Sequence, residues 1–379
     1  MFTYQKHNRY FAQIAEGIKD LGIEELSELN ARNVEPAFRG ITFEADKTTL
    51  YRINYSSRLV SRVLAPLVSF PCENPQVLYS RAKRIQWTEI FSPDETFAIF
   101  ANVSNSTINH SHYAAQCLKD AIVDCFRDQV GRRPSVDVRD PDVWLNLHIV
   151  NDKATISLDT SGGSLHRRSY RKETVSAPMQ ETVAAAVIRL AKWDGQMPLY
   201  DPMCGSGTIL CEALMHYCRI PPGIFRRHFG FEHLPDFDRA VWNRVKQAVD
   251  QRMRQLPSGL IQGSDRARRA ISASRTNICT LRGGRGVGLN VLDFRKINSL
   301  EKRVIVTNPP YGIRMGKGED LGTFYKDLGD FLKQRCKGST AYIFFGDRSY
   351  IKKVGLRSSW KRPIKTGGLD GRLVKFELY

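Results

Sequence analysis

The stretch Asp201-Pro-Met-Cys-Gly-Ser-Gly-Thr208 decides how this chain is read. A strand-like run, Met197-Pro-Leu-Tyr200, leads into it, and a helix-like run, Ile209-Leu-Cys-Glu-Ala-Leu-Met215, leaves it. Gly205 and Gly207 lack a Cβ, so the backbone can turn tightly between strand and helix. A ligand can then sit against bare peptide groups at the helix N-terminus. The spacing is not the six-residue dinucleotide fingerprint, and it lacks the Gly-Lys-Ser/Thr ending that grips a triphosphate. Glycine turns of this kind also occur in α/β domains that bind nothing there, so a second element has to decide the matter.

That element begins at Arg303-Val-Ile-Val-Thr307, which reads as a buried strand and runs directly into Asn308-Pro-Pro-Tyr311. Two prolines fix φ and remove two backbone donors. A stiff, non-helical segment therefore projects from a strand's carboxyl end, where open α/β sheets bind ligands. A rigid surface turn would use the same residues.

In this order and separation the two motifs resemble those of class I S-adenosylmethionine-dependent methyltransferases that modify an exocyclic amino group of a nucleobase. Four further stretches, Ser57-Arg-Leu-Val-Ser-Arg62, Trp87-Thr-Glu-Ile-Phe91, Tyr113 to Phe126 and Ala177-Pro-Met-Gln-Glu-Thr-Val-Ala184, are similar to the bacterial 23S rRNA guanine-N2 methyltransferases that carry a THUMP domain, in single-module form. The resemblance covers nearly the whole chain. It implies an α/β fold with a Rossmann-like seven-stranded class I methyltransferase sheet over residues 164–379. Before it would come an α+β region made of a ferredoxin-like subdomain over 1–54 and a THUMP RNA-binding domain over 55–163.

The resemblance also implies roles. Asn308 and Pro309 would accept hydrogen bonds from the target amine through the Asn side-chain oxygen and the Pro backbone carbonyl. Pro310 would stiffen the segment, and Tyr311 would stack on the base. For the cofactor, S-adenosyl-L-methionine, Asp201, Met203, Cys204, Gly205, Ser206, Gly207 and Thr208 are expected around the methionine part, with Asn308 bordering it. Asp265, at the end of the second strand with Arg266 beside it, is placed to accept from the ribose hydroxyls. Asp293 and Phe294 are expected to receive the adenine. Ordinary helix capping is the alternative use of the two acids. Two positions depart from the family's habit: Ser169 stands where Gly is usual, and Gln180 where Lys is frequent.

Composition points to a polyanionic partner. Across 379 residues there are 57 Lys+Arg against 39 Asp+Glu, a formal charge of +18, which suits a nucleic acid and argues against an acidic solvating module. Within Leu165-His-Arg-Arg-Ser-Tyr-Arg-Lys172, the cations Arg167, Arg168, Arg171 and Lys172 with the ring of Tyr170 are expected to line an RNA approach, the alternative being a solvated linker. The segment 252–285 holds eight arginines against one acid and so needs solvent or phosphate nearby. Eight cysteines occur without a Cys-x-x-Cys pair, so no zinc ribbon or disulfide framework is implied and no metal is expected. No apolar run approaches a membrane span and Met1 to Arg9 does not resemble a signal peptide, so a cytoplasmic location and no membrane partner are expected.

Along the chain, strands are predicted at Tyr10 to Ala15, Asn33 to Phe38, Gly40 to Glu44, Val60 to Pro66, Thr96 to Val103, Val143 to Val150 and Thr155 to Thr160. The section Phe225 to Phe237 reads as an irregular aromatic and basic insertion in the catalytic domain, and Lys361 to Lys365 as a basic tail before a last strand from Gly371. The partner these features favour is RNA: 23S rRNA or a ribosome assembly intermediate, with tRNA as the alternative. Adenine N6 methylation and a non-enzymatic RNA-binding assembly role are the other readings that stay open.

Overall fold

The computed structural model describes residues 1–175, 179–310, 320–366 and 369–379. Fifteen strands are present among them: β1 (Arg9–Gln13), β2 (Arg32–Ala37), β3 (Gly40–Glu44), β4 (Arg62–Pro71), β5 (Thr96–Ser104), β6 (Ser135–Val136), β7 (Val143–Val150), β8 (Lys153–Asp159), β9 (Leu199–Asp201), β10 (Ile261–Asp265), β11 (Gly288–Val291), β12 (Val304–Thr307), β13 (Thr340–Phe345), β14 (Trp360–Thr366) and β15 (Leu369–Glu377). The α-helices are α1 (Thr3–His7), α2 (Lys19–Glu28), α3 (Lys47–Ser56), α4 (Pro75–Lys83), α5 (Ser111–Val130), α6 (Glu181–Leu190), α7 (Thr208–Tyr217), α8 (Arg239–Asp250), α9 (Arg268–Cys279) and α10 (Leu321–Arg335).

Contacts divide the chain into two compact units. One comprises Met1–Ile14, Gly22–Leu165 and Arg226–Gln247, the other Ala15–Leu21, His166–Phe225 and Ala248–Tyr379. The first is built on an eight-stranded sheet in the order β2-β3-β1-β4-β8-β7-β5-β6. The portions expected as separate pieces at 1–54 and 55–163 share this one sheet because β4 pairs with β1 on one side and β8 on the other. β4 runs five residues past its predicted end at Pro66, and its pairing with β8 shifts register between Pro66 and Val68, which lets a residue without an N–H sit inside a strand. Asp46 caps α3, its Oδ1 accepting from the Thr49 N–H at 2.7 Å, and this helix buries Leu50, Tyr51, Ile53 and Tyr55.

The segment expected as an insertion in the catalytic domain belongs to this first unit. Phe229 and Phe231 stack 5.0 Å apart, Tyr51 stacks on Phe231 at 4.4 Å, and Trp242 meets the edge of Tyr55 at 5.3 Å. Aromatic residues that looked irregular in sequence are therefore a core plug, and the catalytic stretch 164–379 contains an excursion over residues 226–247.

The second unit holds a seven-stranded sheet in the order β11-β10-β9-β12-β13-β15-β14. β9 to β13 run parallel, and β15 is antiparallel to both β13 and β14. Every residue of β12 is buried, as a strand covered on both faces requires. The basic tail proves to be the edge strand β14, where exposed Lys361 and Pro363 suit a strand with one unpaired side. Between α10 and the sheet lies a core of Phe294, Ile305, Phe324, Tyr325, Leu328, Phe331, Ile343 and Phe345. The strand order reverses at β9, so the carboxyl ends of β9 and β12 flank the crevice in which such sheets bind ligands. Among the described residues no helix is long and apolar enough to cross a membrane.

Candidate active site

At the end of β9 the chain enters the glycine loop. Gly205 and Gly207 have φ of +54° and +80°, a region that costs a side-chain-bearing residue about 1–2 kcal/mol. A Cβ on Gly207 would also stand 3.0 Å from Ser274 Oγ. Helix α9 clamps the loop from behind: Ser274 Oγ donates to the Gly205 carbonyl at 2.7 Å and Asn277 Nδ2 to that of Ser206 at 3.0 Å. Sequence reading missed Ser274 and Asn277. Their signal was a pair of polar residues three apart on the face of α9 that otherwise buries Ala270, Ile271, Ala273 and Ile278.

A cavity of about 240 Å³ opens over this loop. It brings together Asp201, Met203, Cys204, Gly205, Ser206 and Thr208 from the loop, Asp265 and Arg266 after β10, Asp293 and Phe294 after β11, and Asn308, Pro309 and Pro310 after β12. Gly207 is not in the lining; it is the N-cap of α7. Tyr311 lies outside the described residues. Pro202, Val175, Met179, Ile209, Arg295 and Phe324 complete the walls and were not foreseen as lining residues.

The three acids differ in their surroundings. Asp265 Oδ2 accepts from the Gly205 N–H at 3.0 Å and Oδ1 from the Ala267 N–H at 2.9 Å, which leaves lone pairs for further donors. Asp293 acts as a cap: its Oδ1 accepts from the Arg295 N–H at 2.9 Å, and Oδ2 lies 3.4 Å from Arg295 Nη1. Phe294 is buried, edge-on to Phe324 at 5.5 Å, with the Arg295 guanidinium 4.9 Å from its ring centre, so it forms a wall of the cavity more than a platform. Asp201 is fully enclosed. Burial pushes its carboxyl up to about 7, while donors on Thr307 and Met203 pull it down and the charge of Asp265 raises it. Burial also drives the Cys204 thiol well above its ordinary value, so that side chain is a neutral wall and no thiolate nucleophile.

Thr307 ties the two motifs together, its Oγ1 donating to Asp201 Oδ1 at 2.8 Å. The next residue, Asn308, has a buried Oδ1 with no hydrogen-bond partner among the described residues. An orphaned buried acceptor costs about 1–3 kcal/mol, so its presence in a ligand-sized cavity needs a reason. Behind it, Tyr325 donates its hydroxyl to the Pro310 carbonyl at 3.2 Å while its ring lies between Phe345 and Tyr350, at 5.4 and 5.0 Å.

The cationic run at 167–172 requires correction. Arg168 and Tyr170 are buried, and both reach Glu212 of α7, at 3.4 and 3.1 Å. Arg171 pairs with Glu181 at 2.9 Å and donates to the Met179 carbonyl, with its side chain only 14% exposed. Neither Tyr170 as a stacking ring nor Arg168 and Arg171 as phosphate contacts is compatible with this packing. Of the four cations, Arg167 and Lys172 face solvent. Composition showed the cations but not that Glu181 and Glu212 wait on the helices beneath them. Ser169 keeps a left-handed φ of +62° despite carrying a side chain.

A seven-stranded sheet of this order, with a glycine loop after its first strand and Asn-Pro-Pro after its fourth, defines a class I S-adenosylmethionine-dependent methyltransferase. The residues fit that cofactor: positive-φ glycines open the loop, the carboxyl groups of Asp265 and Asp293 line a cavity that would take a molecule bearing a sulfonium, and a helix N-terminus closes one end. The chain belongs to the RMKL-like methyltransferase domain family, whose profile matches residues 168–375. A THUMP domain matches 72–159, and the RlmL ferredoxin-like domain matches 9–64. A Synechocystis sp. protein with a provisional RNA methyltransferase name is 43% identical over 98% of this chain and 97% of its own length. The ribosomal RNA large subunit methyltransferase K/L of Syntrophotalea carbinolica is 38% identical over 98% of this chain but 53% of its own, so the chain spans about half of that relative. A crystal structure of a provisionally named methyltransferase complexed with SAH superposes with a TM-score of 0.85 at 26% identity, covering 98% of each chain.

Proposed function

We propose that this protein transfers a methyl group from S-adenosylmethionine to the exocyclic N2 amine of a guanine in RNA, with 23S rRNA as the substrate. The observation that carries the reading is the orphaned Oδ1 of Asn308, held at the end of β12 beside the cofactor cavity. The names of the K/L relatives and of the Synechocystis protein support an RNA substrate, as does the match to a THUMP domain.

The cofactor supplies an electrophilic methyl carbon on a sulfonium, so the protein needs no metal and has chiefly to align a nucleophile. An exocyclic amine is a poor one because its lone pair is delocalised into the base. Asn308 Oδ1 and the Pro309 carbonyl would each accept one N–H and turn that lone pair toward the methyl group. A cofactor held in the cavity would supply the methyl group to that nitrogen with its own sulfur as leaving group, and the proton released from the nitrogen would pass to solvent. These acceptors are fixed before the reaction, the arrangement in which dipoles stabilise developing charge best. Thr307 and Tyr325 hold the segment from either side, so the acceptors do not have to reorganise. A guanine must leave its stack to reach the cavity, at a cost of a few kcal/mol, which favours loops or unpaired positions.

The test is nucleoside mass spectrometry of 23S rRNA and tRNA from a strain lacking this chain. Loss of N2-methylguanosine from 23S rRNA, restored by the wild-type chain, is the expected result. Loss of N6-methyladenosine, or a loss confined to tRNA, would contradict the substrate assignment.

A further inference from the structure

With Arg168, Tyr170 and Arg171 turned inward, the second unit needs another surface to meet a polyanion, and helix α9 offers one. Its inner face clamps the glycine loop through Ser274 and Asn277; its outer face carries Arg268, Arg269 and Arg275, all exposed. Arg282 and Arg285, in the turns after α9, and Arg252, after α8, are exposed as well. Among the described residues none of these six forms an ion pair. Arg268 and Arg275 fall seven residues apart on α9, which places their stems on one side of the helix about 10 Å apart, and Arg282 follows in the turn beyond the helix end. The row starts at the cavity's rim, since Arg266 lines the cavity two residues before α9 begins.

Residue choice points to phosphate as the partner. The segment 252–285 has eight arginines and no lysine, although the chain uses lysine freely elsewhere, as at Lys337, Lys352 and Lys353. Solubility alone would be served by either cation. A planar fork with five donors is favoured where oxygens of a phosphate are gripped in pairs. The single acid of the segment, Asp265, is turned to the Gly205 and Ala267 N–H groups and does not neutralise the row.

We infer that the outer face of α9, with Arg268 and Arg275, continued by Arg282 in the turn after it, is a track for the RNA sugar-phosphate backbone that leads to the cofactor cavity. This rests on the RNA reading above. The track positions the strand and reads no bases, so it sets affinity and salt dependence, while the site itself selects the nucleotide.

The experiment compares the wild-type protein with the triple variant Arg268→Gln, Arg275→Gln, Arg282→Gln and a charge-matched control, Lys337→Gln, Lys352→Gln, Lys353→Gln. Each full-length protein, saturated with S-adenosylhomocysteine, is titrated onto protein-free 23S rRNA between about 50 and 200 mM salt. The arginine variant should give a log affinity against log salt slope shallower by about 2 to 3, and the lysine control a change of less than about 1. S-adenosylhomocysteine affinity by calorimetry should be equal in all three, which establishes that the variant is folded. Equal slopes for wild type and arginine variant, or equal flattening in the lysine control, would overturn the track. A wild-type protein that binds S-adenosylhomocysteine but no RNA would instead overturn the RNA reading, and the track with it.

Discussion

Thr307 Oγ1 donates a 2.8 Å hydrogen bond to Asp201 Oδ1, so the last residue of β12 and the last residue of β9 are locked to each other beneath the cavity. Both groups are buried, and Oδ1 also accepts from the Met203 N–H at 3.0 Å. The glycine loop and the Asn-Pro-Pro segment are thereby held at a fixed separation, which a methyl transfer in line between cofactor and amine demands. Replacing Thr307 by Val keeps the shape and removes the donor. The expected result is a loss of about 1–3 kcal/mol in urea unfolding and a fall in the single-turnover rate larger than the fall in cofactor affinity. An unchanged rate in the destabilised variant would show that the lock serves stability alone.

Asp201 itself should make stability depend on pH. Its carboxyl is raised from an ordinary value of 3.8 to about 7 in the folded protein, so between those values the folded state binds the proton that the unfolded state releases. Its contribution is therefore fully present below about 4 and is lost as pH rises toward 7, after which it stays constant. Asp201→Asn can still accept from Thr307 and Met203 but cannot ionise. Relative to this variant, the wild-type urea midpoint should drop between pH 4 and 7 and run parallel above 7; parallel curves throughout would contradict the raised carboxyl.

Asp265 lines the cavity and is the proposed ribose contact. Asp265→Ala removes the acceptor for the Gly205 N–H and the expected partner of the ribose diol, charge-assisted bonds worth roughly 1.5–3 kcal/mol. Calorimetry with S-adenosylhomocysteine should show affinity falling at least several-fold, and a folded variant with wild-type affinity would take Asp265 out of the site.

Tyr325 supports the Asn-Pro-Pro segment from outside the cavity. In Tyr325→Phe the ring stays between Phe345 and Tyr350 while the Pro310 carbonyl loses its 3.2 Å donor. Stability should fall by about 0.5–1.5 kcal/mol, with a several-fold slower methyl transfer and unaltered S-adenosylhomocysteine binding. Equal rates for the two proteins would remove Tyr325 from any positioning role.

How far sequence carried can be judged from particular residues. The glycine loop and the strand into Asn308 were legible because each combines a local backbone demand with a period that says strand or helix. Capping was legible at Asp46 for the same reason: a short polar residue before an apolar period has few other uses. Arg168, Tyr170 and Arg171 were misplaced because a cation's partner is set by tertiary contact, and Glu181 and Glu212 lie 10 and 44 residues away. Ser274, Asn277, Thr307 and Tyr325 were passed over because a single hydroxyl or amide on a buried face announces its bond only when the facing carbonyl or carboxylate is known. The aromatic residues 229, 231 and 242 were taken for part of the catalytic domain by their place in the chain, whereas Tyr51 and Tyr55 decide where they pack.

Asn308→Ala puts the most weight on the account. The buried acceptor has no partner among the described residues, so truncation should leave folding stability near or above that of the wild type while removing the alignment of the amine. The measurement is single-turnover transfer of labelled methyl to 23S rRNA at saturating cofactor, with the product nucleoside identified. A rate lower by about 10²–10³, with cofactor and RNA affinities kept and N2-methylguanosine as the wild-type product, is the predicted result. Near-normal turnover of Asn308→Ala would contradict the mechanism.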